Sequence, residues 1–352
     1  MKKALIAMSG GVDSSVAAYL MKKSGYDCTG ATMKLYDNED IITDTQKTCC
    51  SADDIEDARS VANRLDIPYY VFNLKGDFRE KVINNFISTY ENGGTPNPCI
   101  QCNRYLKFEK LMQRARELQA DFVVTGHYAI IEEKNGRFLL KKGKDLSKDQ
   151  SYVLYSLTQE QLSHTLFPLG EYTKQEIREI AQEQGFINSN KRESQDICFV
   201  PDGDYAAFIE RYTNKTYPEG DFVNKRGEVL GRHKGIIRYT IGQRKGLGIA
   251  LGHPVFVTAK DIDNNRIVLG TNDDLNCSAL EADSFNWIYE KPEGEIICKA
   301  KTRYNMREVP CRAHCEGDRV IVKFDLPVCA VTPGQAVVLY DGDYVVGGGT
   351  IR

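Results

Sequence analysis

Two groups of residues in this chain have the types and spacing for chemistry. The first is Ser9-Gly10-Gly11-Val12-Asp13-Ser14-Ser15, which follows directly on the apolar run of residues 2–7. Adjacent glycines let the backbone turn tightly and bring bare N–H groups close to an anion. The serines add hydroxyls, and a helix expected from Ser14 to about Ser24 adds positive potential at its start. Asp13 is placed to hold a magnesium ion beside phosphates. No Lys follows the glycines, so this is not the G-x-x-x-x-G-K-[ST] loop. The second group is Cys99-Ile100-Gln101-Cys102, after the breaker-rich run Gly93-Gly94-Thr95-Pro96-Asn97-Pro98 and before a helix expected to begin near Cys102 or Asn103. A thiol at a helix N-terminus feels the dipole and the free N–H groups, and Arg104 and Lys107 add positive charge, so a lowered thiol pKa is expected. Spacing alone leaves a catalytic pair, a redox pair and two inert core thiols open. A structural zinc site would need a second Cys-x-x-Cys, and none is present. Cys198, in Ile197-Cys198-Phe199, reads by itself as a packing thiol, as do Cys28, Cys298 and Cys329 in strand-like runs, and Cys49-Cys50 suggests no partner.

The elements that must position these groups alternate strand and helix through the first half. Tyr26–Met33 and Tyr69–Leu74 read as strands. Helices are expected from Ser51, with Asp54 completing a capping box, and over about Phe78 to Tyr90. Phe122–Thr125 is a short apolar run ending at Gly126-His127, the form of a buried parallel strand that meets a ligand at its carboxyl end. Two further helices look capped at Thr158 and Thr173. The texture changes near Tyr217 to short strands and glycine turns, with Ile236–Thr240, Pro254–Ala259 and Arg266–Gly270 among the strands. From Leu280 onward the chain is almost purely strand-like, at the spacing of a small barrel or sandwich.

Composition agrees with a globular protein of more than one domain: 352 residues, 41% hydrophobic and 27% charged. No apolar run is long enough to span a bilayer, and Leu5–Ala7 is too short for a signal segment, so a cytoplasmic location without membrane partners is expected. The 11 cysteines, an odd number, then argue for free, catalytic or metal-binding thiols rather than a disulfide framework. A net charge of −3 gives no global footprint for nucleic acid. Locally, however, Lys225–Lys245 and Lys299–Arg312 are strongly basic and interleaved with Tyr239 and Tyr304, which suggests phosphate contacts with stacking.

Eight segments then occur in one order. They are Ser9–Ser15; Thr95-Pro96-Asn97-Pro98 with Cys102-Asn103-Arg104; Thr125-Gly126-His127-Tyr128; Lys148-Asp149-Gln150-Ser151-Tyr152; Ile197-Cys198-Phe199; residues 240–248; Lys301-Thr302-Arg303-Tyr304; and residues 331–335. Together they closely resemble the bacterial tRNA-specific 2-thiouridylase family of PP-loop ATP pyrophosphatases, over nearly the whole chain. The resemblance implies a doubly wound parallel α/β domain (1–205), a small β-rich domain (206–274) and a C-terminal β-barrel (275–352), the last two contacting tRNA. It implies ATP held by Ala7, Met8, Ser9, Gly10, Gly11, Val12, Asp13, Ser14, Met33 and Gly126, with Mg2+. Cys198 would carry the sulfur as a persulfide and Cys102 would be the partner thiol. Asn97, Pro98 and Cys99 would line the flipped base, and His127, Lys148, Asp149, Gln150, Arg303, Tyr304 and Gln335 would contact tRNA. A cysteine desulfurase or sulfur-relay protein would supply sulfur. Many members carry Asp at the position of Cys99; with Cys there, Cys99, Cys102 and Cys198 are the ligands of an alternative in which an iron–sulfur cluster binds the donor sulfur.

Overall fold

A computed structural model describes residues 1–37, 52–189, 191 and 197–352. Cys49, Cys50, Ser51 with the capping box expected there, and Glu193-Ser194-Gln195-Asp196 lie outside the described residues. The chain divides into two compact units. The first comprises Met1–Val82, Cys99–Gly203 and Gly342–Val346; the second Ile83–Pro98, Asp204–Asp341 and Gly347–Arg352.

The first unit is built on strands β1 (Lys3–Ala7), β2 (Asp27–Lys34), β3 (Tyr69–Asn73), β4 (Phe122–Val124), β5 (Ala129–Lys134), β6 (Arg137–Lys142) and β7 (Thr165–Leu166). Five of them form one sheet in the order β3-β2-β1-β4-β7, every pairing parallel. Ala4, Leu5 and Ile6 of β1 are all at most 1% exposed, as a central strand covered on both faces requires. Helices α1 (Val12–Lys23) and α2 (Ala52–Arg64) help cover it. Ala17 and Ala18 of α1, with Ala58 and Ala62 of α2, join Val16, Val61 and Ile6 in one core cluster. The small residues let helix and sheet backbones approach closely. The helices expected at Thr158 and Thr173 are present, each closed by a complete capping box, with Gln161 and Glu176 as the reciprocal partners.

In the second unit, β8 (Gly220–Val223), β9 (Val229–His233), β10 (Phe256–Asp261) and β11 (Arg266–Gly270) form a four-stranded sheet. The strand expected over Ile236–Thr240 is instead a 3-10 turn, Ile236–Arg238. Gly235 turns the chain there at φ +103°, and the two isoleucines are buried by the turn, not by pleating. The remaining strands are β12 (Asn276–Trp287), β13 (Ile296–Lys301), β14 (Val309–Glu316), β15 (Arg319–Cys329), β16 (Ala336–Asp341) and β17 (Tyr344–Ile351). They run in the order β12-β15-β14-β13-β16-β17, and β12 pairs back onto β17, closing a barrel. Inside it, Cys298 of β13 faces Cys311 of β14, the sulfur atoms 3.6 Å apart.

Candidate functional site

The first unit contains a cleft at the carboxyl ends of β1, β2 and β4, where the sheet order changes direction between β1 and β4. Ligands of doubly wound sheets collect at such a switch point. Of the residues expected to hold ATP, Ala7, Met8, Ser9, Asp13, Ser14, Met33 and Gly126 line this cleft. Gly10, Gly11 and Val12 form the turn between them and α1. Gly11 sits at the helix N-cap, and the hydroxyls of Ser14 and Ser15 donate to its carbonyl at 3.0 and 3.1 Å. The Ser9 amide donates to Ser14 Oγ at 3.1 Å. Two glycines are required by crowding. A Cβ on Gly10, at φ +73°, would lie 2.3 Å from the Asp54 carbonyl oxygen. A Cβ on Gly126 would lie 2.9 Å from the Asp13 carbonyl carbon and 3.0 Å from the Ser14 nitrogen. The end of β4 therefore meets the start of α1 backbone to backbone.

Asp13, expected to hold magnesium, is already engaged. Lys174, at the start of the helix Lys174–Glu183, places Nζ 2.8 Å from each carboxylate oxygen. Tyr128 donates its hydroxyl to Oδ1 at 2.7 Å. A divalent cation on this carboxylate would have to displace that ammonium, so the described geometry does not present Asp13 as an open metal ligand. Sequence reasoning misses Lys174 as a site residue, because it meets Asp13 across 161 positions of sequence.

Gln150 and His127 also line the cleft. Gln150 Oε1 accepts from the Tyr128 amide at 3.0 Å. His127 is only 6% exposed, between Thr125 Oγ1 at Nδ1 (2.6 Å) and Lys107 Nζ at Nε2 (3.2 Å). With the ammonium donating to Nε2, the ring proton is assigned to Nδ1. Burial, and then the Lys107 charge, push the His127 pKa well below its usual value, so the ring is neutral at physiological pH. Asp149 shapes its own loop, accepting from the amides of Gly143 (3.2 Å) and Ser151 (3.1 Å). Lys148 is partly exposed beside it.

The helix carrying Cys102 begins at Pro98, one turn earlier than expected, and continues as a π-helical stretch, Cys102–Lys110. Proline suits the first helical position, where a missing N–H costs nothing. Cys99, exposed, is therefore the cysteine in the first turn. The expectation of a lowered Cys102 pKa is overturned. Cys102 is partly exposed, but desolvation of its thiol pushes it up to about 11, against the downward pull of Lys107 and with a smaller upward push from Cys99. Lys107 thus acts on both Cys102 and the cleft. Cys198 is partly exposed, and the Tyr36 hydroxyl donates to its carbonyl at 2.9 Å. Among the described residues no three His, Cys, Asp or Glu side chains are grouped as a metal site, so Cys99, Cys102 and Cys198 do not fit a cluster in this geometry.

In the second unit, Gln335 Nε2 donates to the carbonyls of Thr95 (3.0 Å) and Pro96 (3.2 Å), fixing the segment that leads to Asn97 and Pro98. Arg303 Nη2 is committed to Ala330 O at 2.7 Å, Thr332 Oγ1 at 2.9 Å and Ile241 O at 3.3 Å. Lys301 Nζ lies 5.8 Å from the centre of the Tyr304 ring. The basic segments are less free than their composition suggests: Lys225 pairs with Asp274 (2.6 Å), Arg232 with Asp221 (3.2 Å), Arg238 with Glu210 (2.7 Å) and Arg312 with Glu295 (3.5 Å). Arg244 and Lys245 are exposed and form no ion pair among the described residues. No helix of the described residues is long and apolar enough to cross a membrane.

Comparison with known proteins bears on the whole chain. Residues 2–202 match a family described as the tRNA methyl transferase HUP domain, 206–271 its PRC-barrel domain, and 277–351 an aminomethyltransferase beta-barrel domain. The chain is 53% identical to a tRNA-specific 2-thiouridylase MnmA of Lachnoclostridium phytofermentans, over 100% of this chain and 99% of that one. It is 51% identical to a protein of the same description from Clostridioides difficile, over 100% and 98% of the two chains. Among solved structures, a 4-thiouridine synthetase in complex with RNA and bound ATP aligns over 60% of this chain and 50% of that one, at 21% identity and a TM-score of 0.39.

Proposed function

The chain belongs to the tRNA-specific 2-thiouridylases, ATP-dependent enzymes that transfer sulfur, and on that premise we propose that it thiolates C2 of the wobble uridine, U34, of tRNA by way of a Cys198 persulfide. The observation that carries the reading is the cleft at the switch point. Its phosphate-binding turn opens α1, and one wall holds Lys107, the residue that acts on Cys102.

The chemistry needs this arrangement. Uridine C2 is a poor electrophile because its oxygen is a poor leaving group. The N–H groups of the Ser9–Ser14 turn and the α1 N-terminus would hold the phosphates of ATP, with Met33 and Gly126 beside the nucleotide. Magnesium, when bound with ATP, would neutralise phosphate charge. Attack of the C2 oxygen on the α-phosphorus releases pyrophosphate and leaves an adenylate. The terminal sulfur of the Cys198 persulfide then attacks C2 and AMP departs. Cys102, as thiolate, attacks Cys198 Sγ; the S–S bond breaks, its electron pair stays with the sulfur on C2, and a Cys102–Cys198 disulfide remains for an external thiol reductant. A thiol kept protonated by burial suits this order, because Cys102 is quiet until the last step. The target base must leave its stack to be reached, and Asn97, Pro98 and Cys99 would receive it. Tyr304, Arg244 and Lys245 are the side chains offered to the tRNA backbone and bases, while Gln335 and Arg303 would act by shaping the loops they hold. A desulfurase or relay protein would load Cys198.

Cysteine variants test the assignment. Cys198→Ser should adenylate tRNA but bind no labile sulfur. Cys102→Ser should accept sulfur yet fail to turn over. Wild-type turnover without reductant should leave a Cys102–Cys198 disulfide in the peptide map. Thiolation that depends fully on reconstituted iron, with no such disulfide, would replace the persulfide route by a cluster and leave the tRNA sulfurtransferase standing.

A further inference from the structure

We infer that Asn188 and Lys191 are positioning residues for the ATP step, clamping the Gly10 carbonyl from behind so that the next amide is aimed into the phosphate cradle. The inference rests on the ATP-dependent reading above. Asn188 is 3% exposed, and its Nδ2 donates to Gly10 O at 3.0 Å and to Ser15 Oγ at 2.9 Å. Lys191 Nζ reaches the same carbonyl at 3.4 Å while held by Asp54 Oδ1 and Asp57 Oδ2, each at 2.6 Å.

Gly10 O and the Gly11 N–H belong to one planar trans peptide, so they point in opposite directions. Fixing the oxygen therefore fixes the hydrogen. The loop also packs closely against the Asp54 backbone, which a Cβ at Gly10 would meet at 2.3 Å. Lys191 is equally constrained, since its two carboxylates belong to α2 and Asp54 is 6% exposed.

A second observation points the same way. Asn188 Oδ1 is buried without a hydrogen-bond partner among the described residues. Burying an unpaired acceptor costs stability that an apolar side chain of the same size would not. An amide at this position is explained by what its NH2 group does, which is to hold the phosphate loop.

The test is steady-state release of AMP and pyrophosphate by the full-length enzyme with tRNA, comparing wild type with Asn188→Leu, Lys191→Met and Lys191→Arg. The expected result is a roughly tenfold rise in KM for ATP in Asn188→Leu and Lys191→Met, the scale of one lost hydrogen bond to a fixed group. KM for tRNA should stay within about twofold, and Lys191→Arg, which still reaches both carboxylates, should recover most of the ATP affinity. Lys191 is partly exposed, so Lys191→Met carries the test should Asn188→Leu not fold. If wild type releases no pyrophosphate with ATP and tRNA, the functional reading fails. If wild type turns over and Lys191→Met keeps its KM for ATP, or shifts both KM values equally, this inference fails.

Discussion

Lys174 holds both carboxylate oxygens of Asp13, 161 residues away, at 2.8 Å, tying the start of α1 after the Gly10-Gly11 turn to a distant helix. The pair is half-buried, with side-chain exposures of 10% for Lys174 and 30% for Asp13. Removing one partner of such a pair leaves the other charge poorly solvated, which costs more than the pair itself contributes. Lys174→Met should therefore destabilise the protein by about 2 kcal/mol, a fully buried value reduced for solvent screening. Adding Asp13→Asn should recover part of that loss. Urea unfolding of the two variants checks it; equal midpoints for wild type and Lys174→Met would sink the idea.

Position 10 gives a sharper contrast. Gly10→Ala should abolish pyrophosphate release, because its Cβ would sit 2.3 Å from a backbone oxygen and cannot be accommodated by moving a side chain. A Cβ added to Gly76 would meet nothing within 4 Å, and this glycine lies in a helical turn, Lys75–Phe78. Gly76→Ala should keep full activity and gain up to about 1 kcal/mol. Pyrophosphate assays and thermal unfolding of both variants decide the matter.

The Cys102 thiol makes a pH prediction. With a pKa of about 11, its thiolate is scarce at neutral pH, and the deprotonated form is the nucleophile. Labelling of Cys102 by iodoacetamide should rise about tenfold per pH unit between pH 7 and 10. Lys107→Met should slow labelling throughout that range, because Lys107 pulls the pKa down; Cys99→Ser should speed it slightly, because Cys99 pushes it up. Mass spectrometry of the Cys102 peptide supplies the rates. Fast labelling at pH 7 would contradict the burial argument.

Salt dependence separates the cations that face solvent from those that hold loops. Arg244→Gln should lower tRNA affinity and reduce the slope of log affinity against log salt by about one phosphate contact. Arg303→Gln should act differently, weakening local structure around Ala330 and Thr332 and lowering the melting temperature. Filter binding at several salt concentrations, with melting curves, distinguishes them. An unchanged slope in Arg244→Gln would return that patch to an ordinary solvated face.

The parts legible in the sequence are those whose cause is local. A buried strand followed by Gly10-Gly11 can only turn sharply into α1, and Thr158 and Thr173 carry their capping partners three residues on. The Asn135-Gly136 turn of the β5–β6 hairpin is equally local but absent from the expected strands, although Asn-Gly between apolar runs is a strong signal. Lys174, Asn188 and Lys191 belong to another class. Nothing around them in sequence marks them, since each acquires its role only when the sheet brings a distant carboxylate or carbonyl beside it. Cys102 misleads for a related reason: its distance from the helix start is readable only to within a turn, and the desolvation of its thiol is not readable at all.

The facing pair Cys298 and Cys311 has a consequence for how the enzyme is handled. Contact with Cys298, and then burial, push the Cys311 thiol far above its ordinary range, so its sulfur stays protonated and is slow toward both alkylating reagents and oxidants. Any cross-link formed in air between these two sulfurs, 3.6 Å apart, is therefore expected to accumulate slowly and at a rate indifferent to substrate. That background serves as an internal clock of adventitious damage: only a disulfide that outpaces it, and does so when ATP and tRNA are both supplied, reports on sulfur transfer.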